Sequence, residues 1–286
     1  MKYAYSPARV LQPNPGICNA FFHRWMLAPV LAAVTVLATS CAAPRAEDRL
    51  ESVLWYQHAA EARALYYQAY NVACDRLQEI IDQKTAGTKP AVVMDIDETV
   101  LNNSAYEAGL IRKHQDFTMA SWDEWTKECK AERLPGAVDF LNFAVAHGVE
   151  VFYITDRSAS EYEVTAQNLK AEGFPMVDAA HLWPAKDSSG KEGRRQRVAA
   201  EGYNLLMLFG DSLPDFSTEF NETNSLQRIA AVDSLRDKFG RKYIVLPNPM
   251  YGIWDRTMAA DAKQAGWCKR SDYLNLPVAP KPPIAQ

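Results

Sequence analysis

The sequence predicts an α/β fold, a doubly wound parallel β-sheet with an additional small helical region. Four short apolar runs of strand length recur along the chain, and stretches with helical spacing lie between them. Strands that alternate with helices form a parallel sheet covered on both faces. Three of the four runs end in polar, acid-containing segments. In open α/β sheets the ligand crevice lies outside these carboxyl ends, so we expect a functional site there.

Composition sets the broad class of the protein. The chain has 286 residues, of which 48% are hydrophobic and 23% are charged, as in an ordinary globular protein. Its formal net charge of -4 argues against a nucleic-acid-binding protein, because phosphate backbones attract a basic surface. We therefore expect a small substrate and no nucleic-acid polymer as partner.

Residues 1–40 are predicted to be a signal peptide. They contain Lys2, Arg9 and Arg24 and no acidic residue, followed by an apolar run at residues 26–39. This run is shorter than the roughly 20 apolar residues of a membrane-spanning helix. Residues 38–41 are similar to a bacterial lipobox, in which cleavage leaves Cys41 as a lipidated N-terminus. Plain secretion with cleavage near Cys41 is the alternative, since Ala38 stands where the lipobox usually has Leu.

The N-terminal part of the predicted domain, residues 46–84, is expected to be helical. One long amphipathic helix or a helix pair is predicted by five apolar residues at helical spacing: Leu65, Ala69, Ala73, Leu77 and Ile80. A polar linker at residues 84–89 ends it. The continuous apolar run at residues 91–94 is typical of a strand buried on both faces.

The remaining elements follow the same reasoning. A helix is predicted to begin at Pro135 and to end at Gly148, since helices favour Pro inside the start and Gly past the end. Strands are predicted at residues 149–155, 205–209 and 243–246, with helical stretches near 158–172 and 191–201. A helical insertion is predicted at 102–134. The whole domain is predicted at 41–276, with a Pro-rich tail at 277–286.

Three cysteines remain besides Cys41 once the signal peptide is removed: Cys74, Cys129 and Cys268. Three thiols allow at most one internal disulfide, and an exported compartment permits it. Which two would pair is left open. None of the three has a metal-binding spacing, so burial is the default expectation.

The strand ends carry the residues that could do chemistry. They are the segments 95–99, 155–157 and 210–215. Asp95, Asp97, Asp211 and Asp215 would lie close together there, and four carboxylates repel one another unless a cation neutralises them. A hard cation such as Mg2+, which prefers oxygen ligands, is the predicted cofactor. An acidic surface loop is the ordinary alternative for one such motif, but an apolar strand runs directly into Asp95.

Other interpretations of these motifs are not favoured. An EF-hand counted from Asp95 would need Gly at position 100 and Glu at position 106, where the chain has Val100 and Tyr106. None of Cys74, Cys129 and Cys268 has an arginine six residues later, and no histidine follows an arginine, as Cys-based and His-based phosphatases require. Lys191 precedes a predicted helix and could neutralise phosphate oxygens and a carboxylate nucleophile. By itself it would usually be a solvated surface lysine.

The order of the motifs resembles the haloacid dehalogenase (HAD) superfamily. More narrowly, VVMDIDETVLNNSAY at residues 92–106, FYITDR at 152–157 and GDSLPDF at 210–216 resemble the bacterial class C acid phosphatases, often outer-membrane lipoproteins with 5′-nucleotidase activity. The resemblance spans roughly residues 50–260. Asp156 stands where that family commonly has Asn, and Ser212 where Asn is more usual. Both departures put substrate preference and rate in question more than the reaction type.

The resemblance implies a HAD-like core and an exported, Mg-dependent phosphomonoesterase with 5′-nucleotides as expected substrates. Asp95 would attack phosphorus to form an aspartyl-phosphate, and Asp97 would transfer the proton. The metal would be held by the Asp95 carboxylate, the Asp97 carbonyl, Asp211 and Asp215, and the phosphate by Thr155 and Lys191. The protein would be an outer-membrane lipoprotein or periplasmic, with a homodimer left open.

Aromatic residues are predicted to contact the substrate. Phe117, Trp122 and Tyr251 could stack on a nucleobase, and ordinary core packing is an equal alternative for them. Core packing is the expectation for Trp125 and Trp254. A non-catalytic ligand-binding lipoprotein on the same fold is the alternative function, and a structural surface lipoprotein would need no converging carboxylates.

Overall fold

A five-stranded parallel β-sheet forms the centre of the computed structural model, which describes residues 46–186, 190–221 and 224–266. In chain order the strands are β1 (Pro90–Met94), β2 (Leu101–Asn102), β3 (Glu132–Arg133), β4 (Glu150–Ser158), β5 (Leu182–Ala185), β6 (Asn204–Gly210) and β7 (Tyr243–Val245). The sheet order is β5-β4-β1-β6-β7, while β2 and β3 form a separate antiparallel ribbon. The predicted α/β fold is confirmed.

Nine α-helices lie in the described part of the chain. They are α1 (Leu50–His58), α2 (Ala60–Asp82), α3 (Ser104–Lys113), α4 (Met119–Lys127), α5 (Ala137–Ala146), α6 (Tyr162–Ala171), α7 (Gly190–Ala200), α8 (Ser225–Ser234) and α9 (Ile253–Ala265). None of these helices is both long enough and apolar enough to cross a membrane.

Helices cover both faces of the sheet, so the strands are buried on both sides. Val92 and Met94 of β1 belong to a core cluster with residues of α2 and α5. Ala91 and Val93 point to the opposite face, where Val198 of α7 belongs to the second cluster. This alternation follows from the two-residue period of a strand. It explains why the four predicted strands are continuous apolar runs.

The N-terminal helix pair is confirmed as α1 and α2, but the predicted buried face of α2 is partly wrong. Leu65 is 40% exposed, whereas Tyr66 and Tyr70 are fully buried. The tyrosines pack their rings in the core while their hydroxyls donate to the carbonyls of Glu98 and Thr99. A tyrosine is therefore a better core residue here than leucine, because two loop carbonyls need donors.

Two further elements differ from expectation. Helix α5 begins at Ala137 and not at Pro135, because Gly136 adopts a left-handed φ of +82° that no helix continues. Strand β5 was not predicted, since Pro184 interrupts its apolar run; proline is tolerated because β5 is an edge strand. Helices α8 and α9 were not predicted either.

The segment between β1 and α5 has a defined beginning and end. The β2–β3 ribbon pairs Leu101 with Arg133, so the two ends of residues 102–134 meet, and α3 and α4 lie between them. That this segment is a separate insertion stays a prediction. Cys74 and Cys129 carry free thiols. Cys41, Cys268, the signal peptide and the Pro-rich tail lie outside the described residues.

Candidate active site

Three neighbouring strands deliver the polar segments predicted from the sequence to one end of the sheet. Central strand β1 ends at Met94, directly before Asp95, and lies between β4 and β6. The backbone N–H of Asp95 donates to the carbonyl of Phe209 at the end of β6, at 3.0 Å. Asp211 therefore follows its strand at the same level as Asp95. The sheet thus places residues that are more than 100 positions apart in the chain side by side.

Asp95, Lys191, Asp211 and Asp215 form what we call the carboxylate–lysine cluster. The ammonium nitrogen of Lys191 lies 2.7 Å from Oδ1 of Asp95 and 2.6 Å from Oδ1 of Asp215. One carboxylate oxygen from each of the three aspartates lies within 4.8 Å of the others. The side chains of Asp95, Lys191 and Asp215 are all less than 10% exposed. Three of the four predicted carboxylates are therefore together, with the predicted lysine between two of them.

Burial dominates the electrostatics of this cluster. Desolvation raises the pKa of Asp95 well above its usual range, with Lys191 opposing and Asp215 adding to the rise. Burial together with Asp215 raises the pKa of Asp211 to about 7. For Lys191, burial lowers the pKa, but Asp215 and Asp95 raise it by more, so the lysine remains an ammonium ion. Three carboxylates beside one lysine can therefore all be ionised only if a further cation replaces the protons.

A turn in the chain after β6 places the Asp215 side chain in the cluster. A short 3-10 turn covers Leu213–Asp215, and the N–H of Ser212 donates to Oδ2 of Asp215 at 3.0 Å. A Cβ atom on Gly210 would lie 2.2 Å from that same Oδ2. Glycine is required at position 210 because the Asp215 carboxylate occupies the space of a side chain.

Helix α7 fixes the cluster through two arginines that the sequence reasoning missed. Arg194 donates from Nη1 to the carbonyl of Thr155 at 2.5 Å, and Arg195 donates from Nη1 to the carbonyl of Asp215 at 2.6 Å. Both side chains are buried. They lie three and four residues after Lys191, on the same face of α7. Their spacing from Lys191 on a predicted helix was the feature of the sequence that could have identified them as neighbours of the cluster.

Asn248 is a second contact that was missed. Its side-chain amide donates from Nδ2 to Oδ2 of Asp211 at 2.7 Å. Its Oδ1 accepts from the N–H groups of Met250 at 3.0 Å and Tyr251 at 3.4 Å. One side chain thus links the cluster to the loop that carries Tyr251.

Thr155 and Asp97 were predicted at the site but do not join the cluster. Thr155 is fully buried, and its Oγ1 accepts from the N–H of Arg157 at 3.1 Å. The Asp97 carboxylate pairs instead with Arg157, at 2.7 Å. Arg157 is therefore a further residue near the site that was not assigned a role from the sequence, although it lies in the FYITDR motif.

Asp156 adds a carboxylate at the rim of the cluster. Its side chain is 76% exposed, and its Oδ2 lies 3.7 Å from the ammonium of Lys191. Its Oδ1 accepts from Nη2 of Arg194 at 3.2 Å. Asp156, which stands where the resembling family commonly has Asn, therefore pairs with the buried Arg194.

The aromatic residues are more open. Phe117 is 49% exposed, and its ring centroid lies 6.3 Å from that of Trp122. Tyr106 packs edge-on against Trp122 at 5.3 Å. We call Tyr106, Phe117 and Trp122 the aromatic cluster. Tyr251 is half-buried and packs against the main core.

The expectation for two other tryptophans is partly wrong. Trp254 is 39% exposed, because it lies on the first turn of α9 and donates to the carbonyl of Tyr251. It is therefore not a core residue. Trp125 does pack against the core, but its Nε1 also donates to Oδ1 of Asn103 at 2.9 Å.

The donor set of the carboxylate–lysine cluster fits a hard divalent cation. All of its candidate ligand atoms are carboxylate oxygens, which Mg2+ prefers, and no thiol or imidazole is among them. The excess negative charge of three aspartates against one lysine provides the attraction.

Comparison with known proteins gives consistent matches. Residues 20–254 match the family model for the HAD superfamily, subfamily IIIB (acid phosphatase). The structure of the class C acid phosphatase from Bacillus anthracis has 33% sequence identity and a TM-score of 0.73, covering 82% of this chain and 98% of that one. A second structure, of the same class C acid phosphatase with tungstate bound, matches with the same figures.

Curated relatives match more distantly. The stem 28 kDa glycoprotein of Glycine max is 27% identical over 169 residues, which cover 56% of this chain and 62% of the relative. Acid phosphatase 1 of Solanum lycopersicum is 26% identical over 166 residues, covering 56% and 58%. The chain thus spans a little over half the length of the curated relatives it matches.

Proposed function

The chain belongs to subfamily IIIB of the HAD superfamily, a family of acid phosphatases, and from that premise we propose that it hydrolyses phosphomonoesters through an aspartyl-phosphate on Asp95. The observation that carries the proposal is the ion-pair arrangement of Lys191. Its ammonium contacts both Asp95 and Asp215, beside Asp211, at the carboxyl ends of the central strands. A phosphate group that approaches Asp95 would meet this cation at the same point.

Asp95 is the proposed nucleophile. One of its carboxylate oxygens forms a bond to phosphorus while the bond from phosphorus to the ester oxygen breaks, and water then hydrolyses the aspartyl-phosphate. Contact with Lys191 at 2.7 Å favours the ionised carboxylate that attack requires. Lys191 also offsets charge on the transferred phosphoryl oxygens, in a buried position where the effect is strong.

The phosphoryl oxygens have further proposed partners in the chain. Thr155 lies beside the cluster, and its hydroxyl is the proposed hydrogen-bond donor to phosphate. Arg194 donates to the carbonyl of this residue and so holds the end of β4 in place. Asp97 is the proposed residue that gives the proton to the leaving oxygen and takes one from the attacking water.

Mg2+ is the proposed cofactor. Asp95, Asp211 and Asp215 would hold it by their carboxylates, with the backbone carbonyl of Asp97 as a further ligand. When bound, the ion would draw off charge from the transferring phosphoryl group. Asn248 would keep the Asp211 carboxylate oriented, because it donates to Oδ2.

5′-Nucleotides are the proposed substrates. Exposed aromatic faces near a phosphate site suit a planar base, and stacking on one contributes about 1–3 kcal/mol. Phe117 and Trp122 offer such faces on α4 and the chain before it, and Tyr251 lies on the loop held by Asn248. The tungstate complex of the Bacillus anthracis enzyme supports an oxyanion site in a related fold.

The proposal includes export of the protein, with a lipid anchor at Cys41. A Cys41→Ala variant expressed in a Gram-negative host tests the anchor. Loss of the protein from the membrane fraction, together with loss of the acyl mass on the mature N-terminal peptide, is the expected result. Equal fractionation of both proteins would favour plain secretion. Sedimentation of the purified protein would decide between a monomer and a homodimer.

The decisive test of the function is an assay on p-nitrophenyl phosphate and on 5′-nucleotides with the metal varied. EDTA should silence the protein, and added Mg2+ should restore its activity. Full activity in chelator would contradict the metal proposal. Tungstate binding without turnover of any phosphomonoester would instead support a non-catalytic binding protein.

A further inference from the structure

Asp97 is the proposed proton carrier, yet its side chain is held by two neighbours that no motif assigns to the reaction. Arg157 donates to Oδ1 from Nη2 at 2.7 Å and from Nε at 3.1 Å. Asn103 donates to the same Oδ1 from Nδ2 at 2.9 Å. Oδ2 is approached only by the shared Nε–H of Arg157, at 3.2 Å, among the contacts the structure describes. The two oxygens of this carboxylate are therefore unequal.

Arg157 is itself firmly placed. Its side chain is only 1% exposed, and Nη1 donates to the hydroxyl of Thr165 at 3.2 Å. The guanidinium carbon lies 5.6 Å from the ring centroid of Trp122, in a cation–π contact. The position of this arginine thus depends on α6 and on the aromatic cluster, neither of which carries the carboxylate–lysine cluster.

Asn103 is equally constrained. Asn103 is fully buried, and its Oδ1 accepts from Nε1 of Trp125 at 2.9 Å. Its backbone N–H donates to the Glu98 carboxylate at 2.7 Å. Because the amide oxygen accepts from Trp125, the Nδ2 group is directed at the two carboxylates, donating to Oδ1 of Asp97 and, at 3.4 Å, to Oε2 of Glu98. The orientation of this amide is set by its partners.

We propose that Arg157 and Asn103 are positioning residues that saturate Oδ1 of Asp97 and leave Oδ2 as the atom that exchanges the proton. This inference rests on the proposed phosphatase function. Proton transfer needs a donor atom held to within a fraction of an ångström of the leaving oxygen, and a displacement of 1 Å can cost about 100-fold in rate. A carboxylate with one oxygen tied down can rotate very little.

Oδ2 of Asp97 gives the proton in the first step and accepts one in the second. As the Asp95 oxygen bonds to phosphorus and the ester bond breaks, the leaving oxygen takes the proton from Oδ2 and departs as an alcohol. In the second step a water molecule gives a proton to Oδ2, attacks phosphorus and releases Asp95 and inorganic phosphate. Arg157 and Asn103 donate to Oδ1 throughout and neither gains nor loses a proton.

The leaving group supplies the test, because p-nitrophenolate departs as a stable anion and an alkoxide does not. Positioned proton transfer contributes about 10²–10⁴-fold where it is needed. Arg157→Gln should therefore lower kcat/KM by about 100-fold for an alkyl phosphate and by less than about tenfold for p-nitrophenyl phosphate. Arg236→Gln, at an exposed arginine after α8, is the matched control and should change neither.

A double-mutant cycle separates positioning from a purely structural role. In an Asp97→Asn background, Arg157→Gln should cost little further activity on the alkyl phosphate, because the group it positions is already lost. Additive losses, or equal losses on both substrates, would overturn the proposal. If circular dichroism shows that Arg157→Gln does not fold, the same comparison is made with Asn103→Ser and Arg157→Lys. Absence of any turnover by the wild-type protein would instead contradict the proposed function.

Discussion

The carboxylate–lysine cluster and the aromatic cluster lie at the same end of the fold but differ in burial and in the contacts between their side chains. In the first, Asp95, Lys191 and Asp215 are buried and joined by ion pairs of 2.6–2.7 Å. In the second, Phe117 is 49% exposed, and the rings contact one another with their centroids 5.3–6.3 Å apart. Charged groups act most strongly when they are held in place away from water. Stacking faces tolerate displacement, so their surroundings need not be rigid.

The two clusters also differ in the kind of contact that holds them. Arg194, Arg195 and Asn248 each hold a group of the carboxylate–lysine cluster or of its loops by side-chain hydrogen bonds. In the aromatic cluster, the Tyr106 hydroxyl bonds to Ser121, and the Trp122 ring is held by ring contacts and by the cation–π contact with Arg157. We therefore expect substitutions in the first cluster to reduce turnover, and substitutions of the aromatic residues proposed to stack on the base, Tyr251 among them, to change substrate preference. Substitutions at Asp95, Gly210, Tyr251 and Asp211 test this division.

Asp95→Asn should abolish turnover, with a loss on the order of 10³-fold or more, because the amide keeps the shape of the carboxylate and loses the nucleophile. The fold should be retained, as measured by circular dichroism. Asp75→Asn, an exposed aspartate on α2, is the control and should behave as wild type. Activity above a few per cent of wild type would remove Asp95 from its role.

Gly210→Ala should lower kcat by about 100-fold, because the added Cβ would lie 2.2 Å from Oδ2 of Asp215 and must displace that carboxylate. Overpacking should also cost about 1–3 kcal/mol of the free energy of unfolding. Gly109→Ala is the matched control, since a Cβ there meets no atom within 4 Å. Unchanged kinetics in Gly210→Ala would show that Asp215 can move without consequence.

Tyr251→Ala should raise KM about tenfold for an aromatic nucleotide, since loss of stacking worth about 1.4 kcal/mol is a factor of ten. It should hardly change KM for a small aliphatic phosphate, because stacking is remote from phosphorus. Tyr67→Ala, at a partly exposed tyrosine of α2, is the control. Equal losses for both substrates would mean that Tyr251 supports the loop and does not select the base.

The smallest effect concerns stability without metal. The pKa of Asp211 is raised to about 7 from 3.8, so the folded protein binds a proton there that the unfolded chain releases near pH 4. The stability associated with this proton is present at acid pH and is lost as pH rises through about 7. In EDTA, Tm should fall between pH 4 and 7 by a few degrees more in wild type than in Asp211→Asn. Identical pH slopes would contradict the assignment.

Much of the fold was predictable because buried parallel strands are continuous apolar runs. β1, β4, β6 and β7 were found in this way, and the acids that follow β1 and β6 were predicted to meet. The edge strand β5 was not, since a proline within a short run is compatible with a strand only where no neighbour needs its N–H. Local pattern does not tell which strand lies at an edge.

The apolar runs and the acidic residues that follow them determined by themselves that carboxylates after β1 and β6 meet at one end of the sheet, because parallel strands align their carboxyl ends. Only the tertiary structure decided which groups hold them. The sequence identifies no partner for Arg157, Arg194 or Arg195, yet each is buried against a carbonyl or carboxylate from another element. The same contacts separated Asp97 from the other three aspartates. Such pairings depend on distances across the sheet, and no spacing along the chain records those distances.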